Sequence, residues 1–395
     1  MKLRWWRGAA LILLPAWAAW AELRVGRAAL KFQDVSAAAE ELYVKALVLD
    51  DGETRAAILV CDLPALDAGT AQTARQLIAA QAAIPEANIM IAATRTHAAA
   101  EKTPRGAAVA ARLAEAVRVA WASPQSASVW AGAGREDATG FYNRFLMKDG
   151  TVRASPGKMN PDIVQPAGEA DPDLSVVRFE SASGQTLALF GSYSLRPAII
   201  EGAHLSADYP GVIARTLAKL HGPELVTLWS TGAGANVTHI DARSPASQAS
   251  GAAEAQRVGT ILAGEAIKAC ARASRVQAAK LAVVRESVRL SAAVPGRPPL
   301  EVEVQVIALG DSVSWVGLPG ELWSELGTAI RKASPFPHTI LTGLANAPAG
   351  VLPNRKGYAG NALDPGVRAS AGSGETIADA AVRLLAAARR LTARQ

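Results

Sequence analysis

The chain has 395 residues, half of them hydrophobic, with 41 basic and 35 acidic side chains and two cysteines. That length can bury a large core, and two cysteines exclude a disulfide framework as its main support. Three of the basic residues stand before position 22, so 38 face 35 beyond it, with no basic tract interleaved with aromatics; nucleic-acid binding finds no support.

The first segment, MKLRWWRGAALILLPAWAAWAE, has a basic start (Lys2, Arg4, Arg7), an apolar run over Gly8–Ala18 and a small-x-small site at Ala19-Trp20-Ala21. This is the pattern of a secretory signal peptide cleaved after Ala21, and it predicts export to the periplasm or the exterior. An uncleaved anchor is the alternative, but the apolar run falls short of the roughly 20 residues of a membrane span. No later stretch is long and apolar enough, so no stable membrane insertion is expected.

Beyond it, strand-like apolar runs alternate with helical ones. Ala56–Cys61 and Asn88–Ala93 read as strands, Gly69–Ala82 and Arg105–Ala122 as helices. Leu187–Ser192, Gly211–Leu220 and Leu225–Ser230 continue the alternation, and 250–273 is a long helix. Lys280–Leu290 and Glu301–Ile307 alternate as strands; Val313–Gly317, Glu321–Lys332, Thr339–Leu344 and Glu375–Thr392 give strand, helix, strand, helix. The pattern predicts an α/β fold, a mixed sheet covered by helices in one large domain over 22–395. Gly140–Asp173 is rich in Gly and Pro, lacks helical periodicity and reads as a long ordered loop over a site. No internal repeat is visible. Cys61 and Cys270 allow one bridge or two separate buried thiols.

Polar residues gather where strands end, the usual place for sites in α/β proteins: Asp62, Arg95, His97, Asn236, and Glu321 after VGLPG at a helix start. GxSxG, HExxH and GxxxxGK[ST] are all missing. Ser206, Asp208 and His97 can be drawn as a triad, but Ser206–Pro210 also reads as an ordinary helix entry. Asn236-Val237-Thr238 fits a glycosylation sequon. Arg95 and His97 share one face of an extended segment.

Several blocks together resemble the neutral/alkaline, non-lysosomal ceramidase family in its shorter bacterial form. They are LRVGRAAL at 23–30, YVKALVLDDGETRAAILVCDL at 43–63 and the loop from Phe141 with Asn143-Arg144. HLSADYPG at 204–211 and VGLPGELWSELGTAIRKASPFPHTILTGLAN at 316–346 complete the set. The resemblance implies a zinc-dependent hydrolase of N-acylsphingosines. Its metal would be held by the first His of Thr-His-Thr-His, a His in an Ala-Cys-His-Pro-like motif, a Glu after Leu-Pro-Gly, and a Tyr after Leu-Ala-Asn. Here Thr94-Arg95-Thr96-His97 puts Arg95 at the first position, Tyr193-Ser194-Leu195-Arg196-Pro197 puts Arg196 at the second, and LANAPAGVLP holds no tyrosine. Of the four, Glu321 remains. A guanidinium has no lone pair to give a metal, so no zinc is expected and zinc-dependent amide hydrolysis is expected to be lost. The additional C-terminal β-rich domain of long family members is not expected either.

Two functions follow from the resemblance. In one, a metal-free enzyme acts on an amide or lipid-like substrate through His97, Arg144 and Glu321. In the other, a non-catalytic relative binds an anionic or lipid-like molecule among Arg95, Arg196, Asn143, Asn236 and Asp208. In both, Glu321 is expected to pair with one or both arginines.

Overall fold

The computed structural model describes residues 23–32, 40–97, 104–202, 205–246, 250–277, 280–358, 364 and 366–393; the expected signal segment lies outside them. The architecture is α/β, with two stacked sheets between layers of helices.

One topological unit occurs three times. Its first copy is β1 (Arg24–Lys31), β2 (Tyr43–Asp50), β3 (Arg55–Cys61), α1 (Ala68–Ala82), β4 (Ile89–Ala93) and α2 (Ala107–Ala122). The three leading strands form an antiparallel meander, and β4 returns through α1 to lie parallel to β3. The second copy starts at β5 (Gln125–Arg135). It is interrupted by the short strands β6 (Phe141–Tyr142), β7 (Arg144–Met147), β8 (Val152–Ala154) and β9 (Ile163–Pro166). It resumes as β10 (Asp173–Ser181), β11 (Thr186–Tyr193), α3 (Asp208–His221) and β12 (Val226–Thr231). After β13 (Val237–Thr238) comes α4 (Ala252–Ala271). Its pairing has the same signs: antiparallel, antiparallel, parallel.

Past β14 (Ser274–Arg275), the third copy is β15 (Leu281–Leu290), β16 (Leu300–Leu309), β17 (Val313–Gly317), the two-residue β18 (Glu321–Leu322), α5 (Ser324–Ala333) and β19 (His338–Thr342). Then follow β20 (Val351–Leu352), α6 (Arg355–Tyr358) and the closing helix α7 (Ser373–Thr392). Again the signs repeat. The expectation of no internal repeat is therefore corrected: the repeat lies in strand direction, which sequence identity need not preserve. One trace of it is chemical. A Cβ on Gly26 would sit 2.3 Å from the Ala120 carbonyl oxygen, and one on Gly132 2.4 Å from that of Ala269. In both units, a glycine in the first strand lets the last helix press on the sheet.

The first two units join through β1 and β5 into one large sheet, and the third forms a separate four-stranded sheet. Helices α1 and α2 cover one half of the large sheet's outer face, α3 and α4 the other half. Helices α5 and α7 cover the outer face of the small sheet. The inner faces meet over a core in which Trp315 stacks on Phe179 (6.4 Å) and meets Phe190 edge-on (6.1 Å). Strands such as β3 are covered on both faces, which is why AAILVC is continuously apolar rather than alternating.

Two expectations change in detail. The loop Gly140–Asp173 contains a three-stranded sheet, β8-β7-β9, inserted in the first hairpin of the second unit. The helix expected from Glu321 begins at Ser324, because Glu321 and Leu322 pair in parallel with Val351 and Leu352 instead. Cys61 faces the α1/α2 cluster and Cys270 the α3/α4 cluster; both are free buried thiols.

Candidate functional site

In each unit the parallel strand pair ends on the same side, and the loops that follow are bonded to one another. Arg95 N–H donates to Leu63 O (2.9 Å), His97 N–H to Pro197 O (3.0 Å), Gly343 N–H to Thr231 O (2.8 Å) and Leu344 N–H to Gly320 O (3.1 Å). Arg95 follows β4, Arg196 follows β11 and Glu321 follows β17, so all three units feed one place.

Arg95 adopts φ 68°, the left-handed region, which costs a non-glycine residue about 1 kcal/mol. That strained turn is held by the Leu63 bond and by the side chain: Nε of Arg95 pairs with Glu321 Oε2, and its Nη1 meets His97 Nε2. Glu321 is 9% exposed. Burial pushes its carboxyl up, and Arg95 and then Arg196 pull it back. Arg196 stands beside this pair, close enough to act on Glu321, Arg95 and His97. Among the described residues its side chain has no hydrogen bond or ion pair, and its Nε is sealed from solvent without an acceptor. Burial lowers its pKa, with Glu321 opposing.

His97 lies at the rim. Desolvation first, then the charges of Arg95 and Arg196, press its imidazole from the ordinary 6.5 down to about 4. A neutral ring that meets the Arg95 guanidinium offers it the Nε2 lone pair, so that nitrogen is not available as a general base. Arg144 is buried with its guanidinium 4.4 Å over the Trp323 ring, where desolvation lowers its pKa and Asp364 raises it. Asp364 acts on His97, Arg144, Arg196 and Glu321 alike. The sequence did not single it out: Asp364-Pro365-Gly366 reads as a turn, and the Asp364 carboxylate does accept from Gly366 N–H at 2.9 Å.

Other expected site residues serve elsewhere. Asp208, at φ 55°, spends its carboxylate on the N–H groups of Ile199 (2.9 Å), Ile200 (2.8 Å) and Tyr209 (2.6 Å). Burial still pushes it up to about 6. With Tyr209 Oη donating to Leu195 O at 2.6 Å, it clamps the chain on both sides of Arg196. Ser206 Oγ donates to Glu40 and accepts from Asp208 N–H (2.9 Å), so no Ser-His-Asp relay is wired. Asn236 is fully buried, its Nδ2 on Glu325 (2.9 Å) and its Oδ1 on Ser324 N–H (2.8 Å). It caps α5 and is closed to a glycan. Asn143 N–H donates to Asn236 O, and its buried Oδ1 has no partner among the described residues. Asp62 is satisfied by Lys45 Nζ on both oxygens (2.6 Å) and by Tyr43 N–H (3.0 Å).

The inserted β7–β9 sheet is bolted to α5 over this region. Tyr142 Oη donates to Glu325 Oε1 (2.6 Å), Ser324 Oγ to Glu169 O (2.9 Å), and Arg331 pairs with Asp171. The bolts fix the position of Arg144.

No family model matches the chain, and no curated protein matches it. Solved structures do. A neutral ceramidase from Pseudomonas aeruginosa superposes with TM-score 0.77 at 16% identity, over 95% of this chain and 76% of that one. The chain has a neutral ceramidase-like fold. A ceramidase complexed with C2 is similar at TM-score 0.76 and 15% identity, over 92% of this chain and 75% of that one. The ceramidase-like frame thus holds a cluster of guanidiniums where its three repeated units meet. Among the described residues of this cluster, Glu321 is engaged by Arg95, His97 Nε2 faces the same guanidinium, and arginine donates no lone pair to a metal.

Proposed function

We propose that this is an exported ceramidase-like protein whose pocket binds an anionic, lipid-like molecule and no longer hydrolyses amides with zinc. The observation that carries this reading is the arrangement around Glu321: Arg95 pairs with it, and Arg196 stands next to both with no hydrogen bond or ion pair among the described residues. A guanidinium drawn partly out of water is costly to leave without a counter-charge. A ligand oxyanion answers it, because the guanidinium fork matches two oxygens at once. The ceramidase-like frame supports a lipid-like body for that ligand.

Each residue then has a task. Asp208 and Tyr209 hold Arg196 in place from behind, Glu321 fixes Arg95, and Trp323 fixes the Arg144 guanidinium by stacking. None of them supplies a nucleophile or an available base.

Incubation with a fluorescent N-acylsphingosine, with and without added zinc, tests the proposal. No amine release above the uncatalysed rate is expected in either arm. Zinc-dependent turnover would overturn it.

A further inference from the structure

Strand β4, which delivers Arg95, is the last strand of the large sheet and is paired by β3 on one side only. Its other edge is taken by the segment 343–346. Ile91 N–H donates to Asn346 Oδ1 (3.0 Å), Asn346 N–H donates back to Ile91 O (2.7 Å), and Ala345 bridges Ala92 in antiparallel register. The Asn346 amide spends both its protons on the small sheet, on Glu303 Oε1 and Gln305 Oε1 (2.9 Å each). Those two are themselves fixed, Glu303 by Arg75 (2.6 Å) and Gln305 by donating to Ala87 O (2.8 Å). The same short segment reaches the other units: Gly343 N–H donates to Thr231 O, and Leu344 N–H to the carbonyl of Gly320, which precedes Glu321. Leu344 (φ 51°) and Asn346 (φ 65°) both stand in the left-handed region, which an asparagine enters readily and a leucine only at a cost.

We infer that Asn346 is a positioning residue for the pocket: it locks β4 lengthwise between the two sheets and thereby sets where Arg95 stands against Glu321. The inference rests on the reading of that cluster as a ligand site. Asn346 is buried, and the frame engages both its amide protons and its oxygen, so it acts through Arg95 rather than on a ligand. With both backbone groups of Ile91 gripped, β4 cannot slide past the loop that delivers Glu321, and the turn at Arg95 starts from a fixed point. Apolar packing resists such a slide less sharply, because the hydrophobic effect is non-directional whereas hydrogen bonds demand distance and angle. A binding group needs its supporting shell to hold it within about 0.5 Å, and here the shell reaches Arg95 through hydrogen bonds.

Asn346→Gly tests this, since glycine keeps the left-handed backbone and deletes the side-chain bonds. Octanoate, a fatty carboxylate, is titrated calorimetrically into parent and variant, and the His97 imidazole of each is titrated by NMR. Octanoate affinity is expected to fall about tenfold in the variant. The His97 pKa, held near 4 by burial and then by the charges of Arg95 and Arg196, with Asp364 opposing, is expected to move toward 6.5 as Arg95 drifts from it. Asn346→Asp keeps the shape but turns a carboxylate toward Glu303; it should give the same two changes, and it carries the test if the glycine variant does not fold. Leu385→Ala, a cavity at a fully buried position of α7, controls for lost stability: it should lower unfolding free energy and leave both readings as in the parent. A destabilised Asn346→Gly with parental octanoate affinity and parental His97 titration would overturn the inference and leave the ligand-site reading standing. The same losses in Leu385→Ala would also overturn it. Failure of octanoate to bind the parent would overturn the ligand-site reading, while the His97 titration would still decide the role of Asn346.

Discussion

Two buried ion pairs lie at the ends of neighbouring strands and have opposite characters. Lys45 and Asp62, at the end of β3, form a closed account: both carboxylate oxygens receive the ammonium at 2.6 Å, and one also accepts a backbone N–H. Arg95 and Glu321, beyond the ends of β4 and β17, are open: a second guanidinium stands beside them with no hydrogen bond or ion pair among the described residues. The first arrangement holds strands together. The second leaves that guanidinium unpaired among those residues, and such a cation in a poorly solvated place points to a ligand.

The contrast breaks most sharply at Lys45. Lys45→Met strands the Asp62 carboxylate inside the fold and should lower unfolding free energy by about 3–5 kcal/mol, read by urea denaturation. Arg196→Met should do the reverse of what its burial suggests. It removes a desolvated charge that has no ion pair among the described residues, so stability should stay within about 1 kcal/mol of the parent or rise. Octanoate binding should nevertheless be lost. Similar destabilisation at both sites would erase the distinction.

A smaller effect concerns His97. The unfolded chain takes up the imidazole proton near the ordinary 6.5 and the fold only near 4, so the unfolded state binds more protons between those values. Stability attributable to His97 is whole above about pH 6.5 and falls as pH drops toward 4. His97→Gln should flatten that part of a stability-against-pH profile; an unchanged slope would place the titration elsewhere. The smallest effect is at the thiols. Cys61 is pushed far up by burial and Cys270 up to about 11, so neither should react with Ellman's reagent in the fold. Both should react after denaturation without reductant.

Much of the fold was legible because the helices and most strands carry their periods openly. Strand β5 was not: QSASVWAGAGR is built from small residues, chosen for the approach of α4 at Gly132 rather than for apolar mass. The threefold repeat was hidden because strand direction constrains only the pattern of burial. Within the site, Arg95, Arg196 and Glu321 could be named in advance because they replace or keep positions in recognisable motifs. The spending of Asp208 and Asn236 on backbone and capping bonds could not, since their partners are set by tertiary contact. Asp364 was invisible because its electrostatic neighbours, His97, Arg144, Arg196 and Glu321, lie far away in the chain.

The most direct measurement of the central claim is zinc content. Protein dialysed against excess zinc, washed free of unbound metal and analysed by plasma mass spectrometry should retain far less than one zinc per chain, with octanoate affinity unchanged by the treatment. One tightly held zinc per chain, released together with Glu321→Gln, would contradict it.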